Sequence, residues 1–379
     1  MLGLYLHIPF CAAICNYCNF NRGLLDAALK VRYVDALVRE IEAAAEPATR
    51  ADTIYFGGGT PSLLSGSEVA RIIDACRAAF DILDDREITL EANPDTITVD
   101  LLESYRAAGV NRLSYGVQSF RDEELQRLGR LHSAETAHQA LAAARSAGFG
   151  NVSMDLMMWL PEQRIDQWLE SVDALIAARP EHASLYLLEL YPNAPLKEDM
   201  ARAGWSLAPD DDAAAMYLES LARLDGAGYE QYEISNVARP GCEARHNVKY
   251  WKDGEWLGFG CGAHSTRGGV RWRNVTATID YIQRVAAGTT VVAERRVMGA
   301  DERVEEALFT GLRLSAGLDL AAITATYGLD VWRRHGAELS RFVDAGLVIH
   351  EPGSRLALTR SGMLLANEVM AVFIGPTVR

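Results

Sequence analysis

Tyr5-Leu-His-Ile-Pro-Phe-Cys11-Ala-Ala-Ile-Cys15-Asn-Tyr-Cys18-Asn-Phe20 is the stretch that decides how the rest of the chain is read. Three of the six cysteines fall within it, spaced C-x3-C-x2-C, so their thiolates can converge from one compact loop. Thiolates are soft ligands that suit zinc or an iron–sulfur cluster. Three readings follow. The first is a disulfide with a spare thiol, which spacing this tight would strain. The second is a structural zinc site closed by His7 as fourth ligand. The third is a cubane cluster on three cysteines, which leaves one iron open to a substrate or cofactor. No fourth cysteine is near, because Phe20 stands two places after Cys18.

Composition narrows the function. The chain has 379 residues, enough for two or three domains, and 49% hydrophobic residues, enough for a large core. Its formal charge of −14 argues against nucleic acid, which selects basic surfaces. No stretch approaches the ~20 apolar residues of a membrane span. The N-terminus enters an apolar strand at once, so no signal peptide is expected. Cys76, Cys242 and Cys261 are scattered singly, which fits a reducing cytoplasm.

Up to about residue 235, strand and helix patterns alternate. Strands are expected at Gly3–Pro9, Asp52–Gly58, Arg86–Asn93, Arg112–Ser119, Asn151–Met158, His182–Leu190 and Tyr229–Ser235. Helical patterns lie between them, among them Val31–Ala45, Ser67–Phe80, Ala134–Ala147 and Asp212–Gly226. An Ala-Gly pair recurs at Ala108-Gly109, Ala147-Gly148 and Ala227-Gly228, where glycine can take the left-handed position that stops a helix. Repeated βα units imply a parallel sheet. About six are too few for an eightfold barrel, so a partial, splayed (β/α)6 barrel is expected, with its site at the carboxyl ends of the strands.

Polar motifs fall at those ends. Gly57-Gly58-Gly59-Thr60-Pro61 follows the second strand; its glycines would let backbone amides approach a ligand, and a tight strand–helix turn is the plainer alternative. Glu91 ends the third strand, facing the barrel mouth or solvent. Gln118 ends the fourth, and Arg130 follows with a fork able to pair with a carboxylate. Asp155 sits inside an apolar fifth strand, where a carboxylate is costly unless bonded, by a ligand or by the backbone.

The cysteine spacing resembles that of radical S-adenosylmethionine (SAM) enzymes. The resemblance implies a 4Fe–4S cluster on Cys11, Cys15 and Cys18, with SAM chelating the open iron and cleaved there to a 5′-deoxyadenosyl radical. Gly58, Gly59 and Thr60 then correspond to the segment that binds the methionine part of SAM. Glu91, Gln118, Arg130 and Asp155, with Tyr5, match SAM-contacting positions of the oxygen-independent coproporphyrinogen III oxidases (HemN) and their relatives. Within that group Phe20 replaces a further cysteine of the oxidases, and the chain starts at the first strand, without the oxidases' N-terminal extension. Both departures resemble the heme chaperones (HemW). His246-Asn247-Val-Lys-Tyr250-Trp251 matches the H-N-x-x-Y-W segment linked to heme binding there. A neutral imidazole is a good ligand for heme iron, and Tyr250 and Trp251 offer flat apolar surface; by the residues alone, a structural histidine beside core aromatics is the better reading, and the resemblance is what turns it towards heme. His264, in a glycine-rich turn, is left outside the site. Two further departures from relatives are Asn19 for aspartate and Trp159 for glycine. Trp159 is expected to add bulk at the cavity mouth.

Beyond residue 300, helices and short strands suggest a winged-helix-like module with no basic stripe, hence a lid or docking piece rather than a DNA reader. The expected organisation is a barrel over 1–240, a connecting segment carrying the heme motif over 241–300, and the C-terminal module over 301–379. The expected function is a cytoplasmic carrier that binds heme and passes it to acceptor proteins, with acceptors at the respiratory membrane. Coproporphyrinogen III decarboxylation and radical SAM methyl transfer are the enzymatic alternatives.

Overall fold

In the computed structural model, which describes residues 1–374, the first strand shows how the chain sorts its side chains. Successive residues of a strand face opposite sides. In β1 (Leu2–Ile8), Leu2, Leu4, Leu6 and Ile8 are at most 3% exposed and join Tyr33, Leu37 and Ile41 of α1 (Ala27–Ala43) in the main core. Gly3, Tyr5 and His7 lie on the other face, inside the barrel.

The same division repeats along β2 (Arg50–Gly58), β3 (Asp81–Ala92), β4 (Arg112–Gln118), β5 (Val152–Met158) and β6 (His182–Leu187). Each pairs in parallel with the one before it. The longer helices between them are α2 (Gly66–Ala79), α3 (Val99–Ala108), α4 (Ala134–Ser146) and α5 (Ile165–Ala178), with α6 (Asp210–Gly226) after β6. Local signals fix their ends. Asp26 caps α1 by accepting from the Leu29 amide, and Ser65 and Glu68 form a reciprocal capping box on α2; such caps contribute about 1 kcal/mol each. Gly109 ends α3 at φ 112°, a conformation costly for a residue with a Cβ. Six parallel strands with this helix order are the expected partial (β/α)6 barrel.

The chain then turns back. β7 (Glu230–Glu233) and β8 (Asn236–Ala238) add antiparallel strands beyond β6. α7 (Arg245–Trp251) carries the HNVKYW segment. β9 (Trp256–Phe259) pairs in parallel with the free side of β1, and β10 (His264–Arg267), β11 (Val270–Asn274) and β12 (Val292–Val297) continue antiparallel. Among the described residues the sheet has twelve strands, in the order β12-β11-β10-β9-β1-β2-β3-β4-β5-β6-β8-β7. The stretch read as a connector over 241–300 therefore supplies four strands of the main sheet. Those strands are short; β9, Trp-Leu-Gly-Phe, runs into a glycine-rich turn, and the later ones carry charges, as in Val-Ala-Glu-Arg-Arg-Val of β12, so none shows the long apolar alternation that marks a strand in sequence.

The C-terminal part packs α8 (Ala300–Gly311), helices Leu320–Tyr327 and Val331–Asp344, and a three-stranded wing of Leu318–Asp319, Arg355–Leu358 and Val348–Glu351. The chain closes on two short helices, Arg360–Leu364 and Ala366–Met370, broken at Leu365 and followed by a 3-10 turn. Residues 375–379 of the expected C-terminal module lie outside the described residues. Among the described residues no helix is long and apolar enough to cross a membrane.

Candidate cofactor site

β1 delivers the cysteine loop to the carboxyl ends of the parallel strands. There Cys11, Cys15 and Cys18 line one cavity of about 400 Å³. The loop is held from several sides. The Gly59 and Thr60 amides donate to the Ile8 and Phe10 carbonyls (2.8 and 2.7 Å), and the Arg22 guanidinium donates to the Cys18 and Phe20 carbonyls. A Cβ on Gly59 would stand 2.7 Å from the Phe10 carbonyl and 3.0 Å from the Cys11 sulfur, so only glycine lets the two loops meet. The Gly58 amide donates to Glu91 Oε2 (3.2 Å). All three amides of this turn are thus taken by the protein. The expectation that they reach a ligand is corrected: the turn cradles the cysteine loop, and a ligand meets its surface rather than its N–H groups.

The same cavity is lined by Gly58, Gly59 and Thr60, and by Glu91, Gln118, Arg130 and Asp155, so residues from β2, β3, β4, the loop after β4 and β5 meet in one place. Glu91 Oε1 accepts from the Tyr55 hydroxyl (2.7 Å). Burial raises the Glu91 pKa to about 7, against the pull of the Tyr55 bond. Burial also raises that of Asp155, against the pull of hydrogen bonds from the Ser184, Ser153 and Ser114 hydroxyls, the last two long at 3.3–3.4 Å. Arg112, itself 2% exposed, sends its charge toward both without offsetting the burial. Gln118 is held at φ 68°, and its Oε1 is buried with no partner. Arg130 Nη2 donates to Asn93 Oδ1 (2.9 Å) and the Gly116 carbonyl (2.6 Å), Nη1 reaches the Cys15 sulfur (3.5 Å), and Nε is buried without a partner. None of these partners is a carboxylate. The sequence reading missed Arg22, Asn93 and Ser114; the strand-end phrase Glu91-Ala-Asn93-Pro was the available signal for Asn93.

Tyr5 does not line this cavity. Its hydroxyl pairs with His7 Nδ1 (3.1 Å), and it lines an adjoining cavity of about 490 Å³ that shares Asn19, Phe20, Gly58 and Glu91 with the first. Trp159 lines neither. It stands at φ 64°, which explains why glycine suits the position, and its indole donates to the Ala208 carbonyl (2.8 Å). The expected bulk at the mouth is absent.

The HNVKYW residues do not converge either. The Arg245 and His246 amides donate to the Glu87 carboxylate (3.0 and 3.1 Å), which seats α7 beneath the barrel, at the opposite end from the cysteine loop. His246 is 1% exposed. Its Nδ1 pairs with the Thr53 hydroxyl and its Nε2 with the Tyr250 hydroxyl (2.8 Å each), and its ring stacks on Tyr55 at 5.1 Å. Burial lowers its pKa to about 3. Tyr250 faces the adjoining cavity, Asn247 is half-buried off to the side, and Trp251 lies under the Arg313 guanidinium at 4.3 Å. His246 as a ready iron ligand, with Asn247, Tyr250 and Trp251 around one porphyrin, is therefore not what the structure presents. Residues three or four apart share a helix face, and here that geometry pairs His246 with Tyr250.

Residues 5–175 match the radical SAM superfamily and residues 299–365 the HemN C-terminal domain. A heme chaperone HemW of Bacillus subtilis (strain 168) is 35% identical over 378 residues, covering 99% of this chain and all of that one. One of Mycobacterium tuberculosis (strain ATCC 25618 / H37Rv) is 39% identical, covering 98% and 95%. The chain belongs to the HemN/HemW group of the radical SAM superfamily. Among solved structures, coproporphyrinogen III oxidase (HemN) from Escherichia coli, described as a radical SAM enzyme, superposes with a TM-score of 0.87 at 26% identity over 98% of this chain and 89% of that one.

Membership brings a 4Fe–4S cluster and SAM, and the cavity suits both. All six cysteines are free, and both nitrogens of His7 are engaged, Nε2 with the Asn21 carbonyl at 2.7 Å. The disulfide and the His7-closed zinc site thus lack support. Burial raises the Cys11 and Cys18 pKa, and iron supplies the positive charge that thiolates need. Two buried carboxylates that form no ion pair among the described residues match the sulfonium and ammonium of SAM. The bare Arg130 Nε matches its carboxylate.

Proposed function

We propose that this chain is a heme chaperone, which binds heme and passes it to acceptor proteins in the cytoplasm or at the respiratory membrane. The observation that carries the reading is full-length similarity to relatives named heme chaperone HemW, at 35–39% identity, against 26% to the oxidase. Phe20, 69% exposed where the oxidases have a further cysteine, supports it. In this reading Cys11, Cys15 and Cys18 hold the 4Fe–4S cluster. Gly58, Gly59, Thr60, Glu91, Gln118, Arg130 and Asp155 hold SAM. The cluster and SAM together supply one-electron chemistry when bound. What the chain's own residues do is plainer: Arg130 ties the cysteine loop to β4, Arg22 closes it, and Glu91 and Asp155 place two buried carboxyl groups on the cavity wall, where a bound cation favours their charged forms.

The test is an anaerobic heme titration of the reconstituted protein, beside an assay for coproporphyrinogen III decarboxylation. Saturable one-to-one binding with no decarboxylation is expected. Decarboxylation at rates typical of enzymes, without saturable heme binding, would replace this reading with the oxidase one.

A further inference from the structure

If the chain carries heme, an accessible group must meet the iron, and His246 is not accessible. To ligate a metal its ring would have to leave the Thr53 and Tyr250 hydroxyls and the stack on Tyr55. Breaking buried hydrogen bonds strands their partners. The adjoining cavity offers another imidazole. Two histidines line it, His7 and His264. Both nitrogens of His7 are engaged. The His264 side chain is exposed, and neither of its ring nitrogens has a hydrogen-bond partner among the described residues.

We propose that His264 is the imidazole that ligates the heme iron, in the cavity walled by Tyr250, Trp256 and Phe20. The proposal rests on the heme-carrier reading and adds the place and the ligand. The cavity's walls suit a flat apolar ring. Tyr250 and Trp256 meet edge to face at 4.6 Å, and Phe20 presents an exposed ring from the cysteine loop. Such aromatic surface left open to water marks a binding face. The strand register places Arg273 directly across from His264, on the same side of the sheet and facing the same cavity. Its guanidinium pairs with the exposed Glu294 carboxylate (2.5 Å), a partner that a heme propionate can replace. Burial, with Arg273 and Arg271 nearby, lowers the His264 pKa, so the ring is neutral at pH 7 and offers a lone pair. An open cavity also suits a carrier, which must release what it binds.

This placement gives the HNVKYW segment a different task. The bond between His246 and Tyr250 fixes the Tyr250 ring as a wall of the cavity, which makes His246 a positioning residue. The two cavities share Asn19, Phe20, Gly58 and Glu91, so heme at His264 lies against the chamber of the cysteine loop.

The experiment is an anaerobic heme titration of the full reconstituted chain, followed by its Soret band and by electron paramagnetic resonance. Wild type, His264→Ala, His264→Met and His246→Ala are compared, and cluster content reports folding. His264→Ala is expected to lose the imidazole-ligated spectrum and to bind heme about tenfold or more weakly, as for loss of metal-site support; added imidazole restores the spectrum. His264→Met is expected to shift the spectrum to thioether ligation. His246→Ala is expected to weaken binding while keeping imidazole ligation. A wild-type spectrum in both His264 variants would overturn the proposal and leave the carrier reading standing. Absence of saturable binding in the wild type would overturn both.

Discussion

The cysteine loop and the His246 helix are both short motifs, yet the fold treats them in opposite ways. Cys11, Cys15 and Cys18 face one cavity, together with residues from β2, β3, β4, the loop after β4, β5 and β6. His246, Asn247, Tyr250 and Trp251 disperse into the barrel interior, a half-buried flank, the second cavity and the shelf beneath Arg313. The difference lies in the backbone. A loop at the carboxyl end of a strand can aim several side chains at one point. A helix of two turns sends neighbours about 100° apart, so a contiguous helical motif can share a task without sharing a ligand.

Cys15→Ala puts the largest effect on this contrast. It removes one of the three thiols that line the cavity and the Arg130 contact, while its half-exposed side chain contributes little to the core. Iron and sulfide content after reconstitution, and the charge-transfer absorbance, are expected to fall to a small fraction of wild type. Wild-type iron and sulfide would break the convergence.

Glu91→Gln sharpens the electrostatics of the same cavity. A hydrogen bond to a charged group contributes about 1.5–3 kcal/mol, so SAM affinity is expected to drop roughly ten- to a hundredfold at pH 8. In the wild type the Glu91 pKa is about 7. The carboxylate is neutral below that and charged above it, so affinity for the cationic ligand rises from pH 6 to pH 8, and the variant flattens the rise. The stability sign is opposite. Without ligand, the folded state holds this proton more tightly than the unfolded chain, so its contribution is full below the unfolded value of 4.5 and is lost as pH rises towards 7. Calorimetric titration of SAM across that range reads the first effect, and equal slopes in both proteins would remove Glu91 from the site.

The same contrast explains how much was legible in the sequence. The barrel read clearly because its strands are apolar runs and its helices end on signals such as Ala108-Gly109. The strand-end residues read clearly because a carboxylate such as Asp155 in an apolar run demands a partner. Position alone carried Tyr5: it stands on the strand that leads into the cysteine loop, and its side chain lines the adjoining cavity. The four strands over 256–297 were hidden, β9 by its shortness and the glycines around it, the other three by their shortness and charge. Register, which no local pattern encodes, places His264 opposite Arg273 and beside Tyr250. A glycine-rich turn gave no hint of it.

His246→Ala separates support from ligation. The substitution removes two buried hydrogen bonds and a stacked ring. It is expected to cost about 2–4 kcal/mol and to lower the melting temperature by several degrees, with cluster content unchanged. Burial holds the His246 pKa near 3, far below its unfolded value of 6.5. The unfolded chain takes up that proton first as pH falls, so the stability this neutral ring contributes is lost from about pH 6.5 downwards. Thermal melts between pH 7 and pH 5 are expected to show a shallower decline in the variant. An unchanged melting temperature would mean that α7 does not depend on the ring.

Trp159→Gly carries the smallest effect and tests the border between the two regions. Trp159 follows β5, which bears Asp155, and holds a left-handed φ of 64°. That conformation costs a residue with a Cβ about 1–2 kcal/mol, and glycine removes the cost. Against it stand the lost packing and the hydrogen bond from the indole to Ala208, about 1 kcal/mol. The two sides nearly cancel, so the melting temperature is expected to move by no more than a few degrees. SAM affinity is expected to stay at the wild-type value, because the indole faces Ala208 and not the cavity. A tighter or weaker SAM titration in the variant would mean that the loop after β5 transmits strain to Asp155, and the first region would then extend further down the chain than its lining residues do.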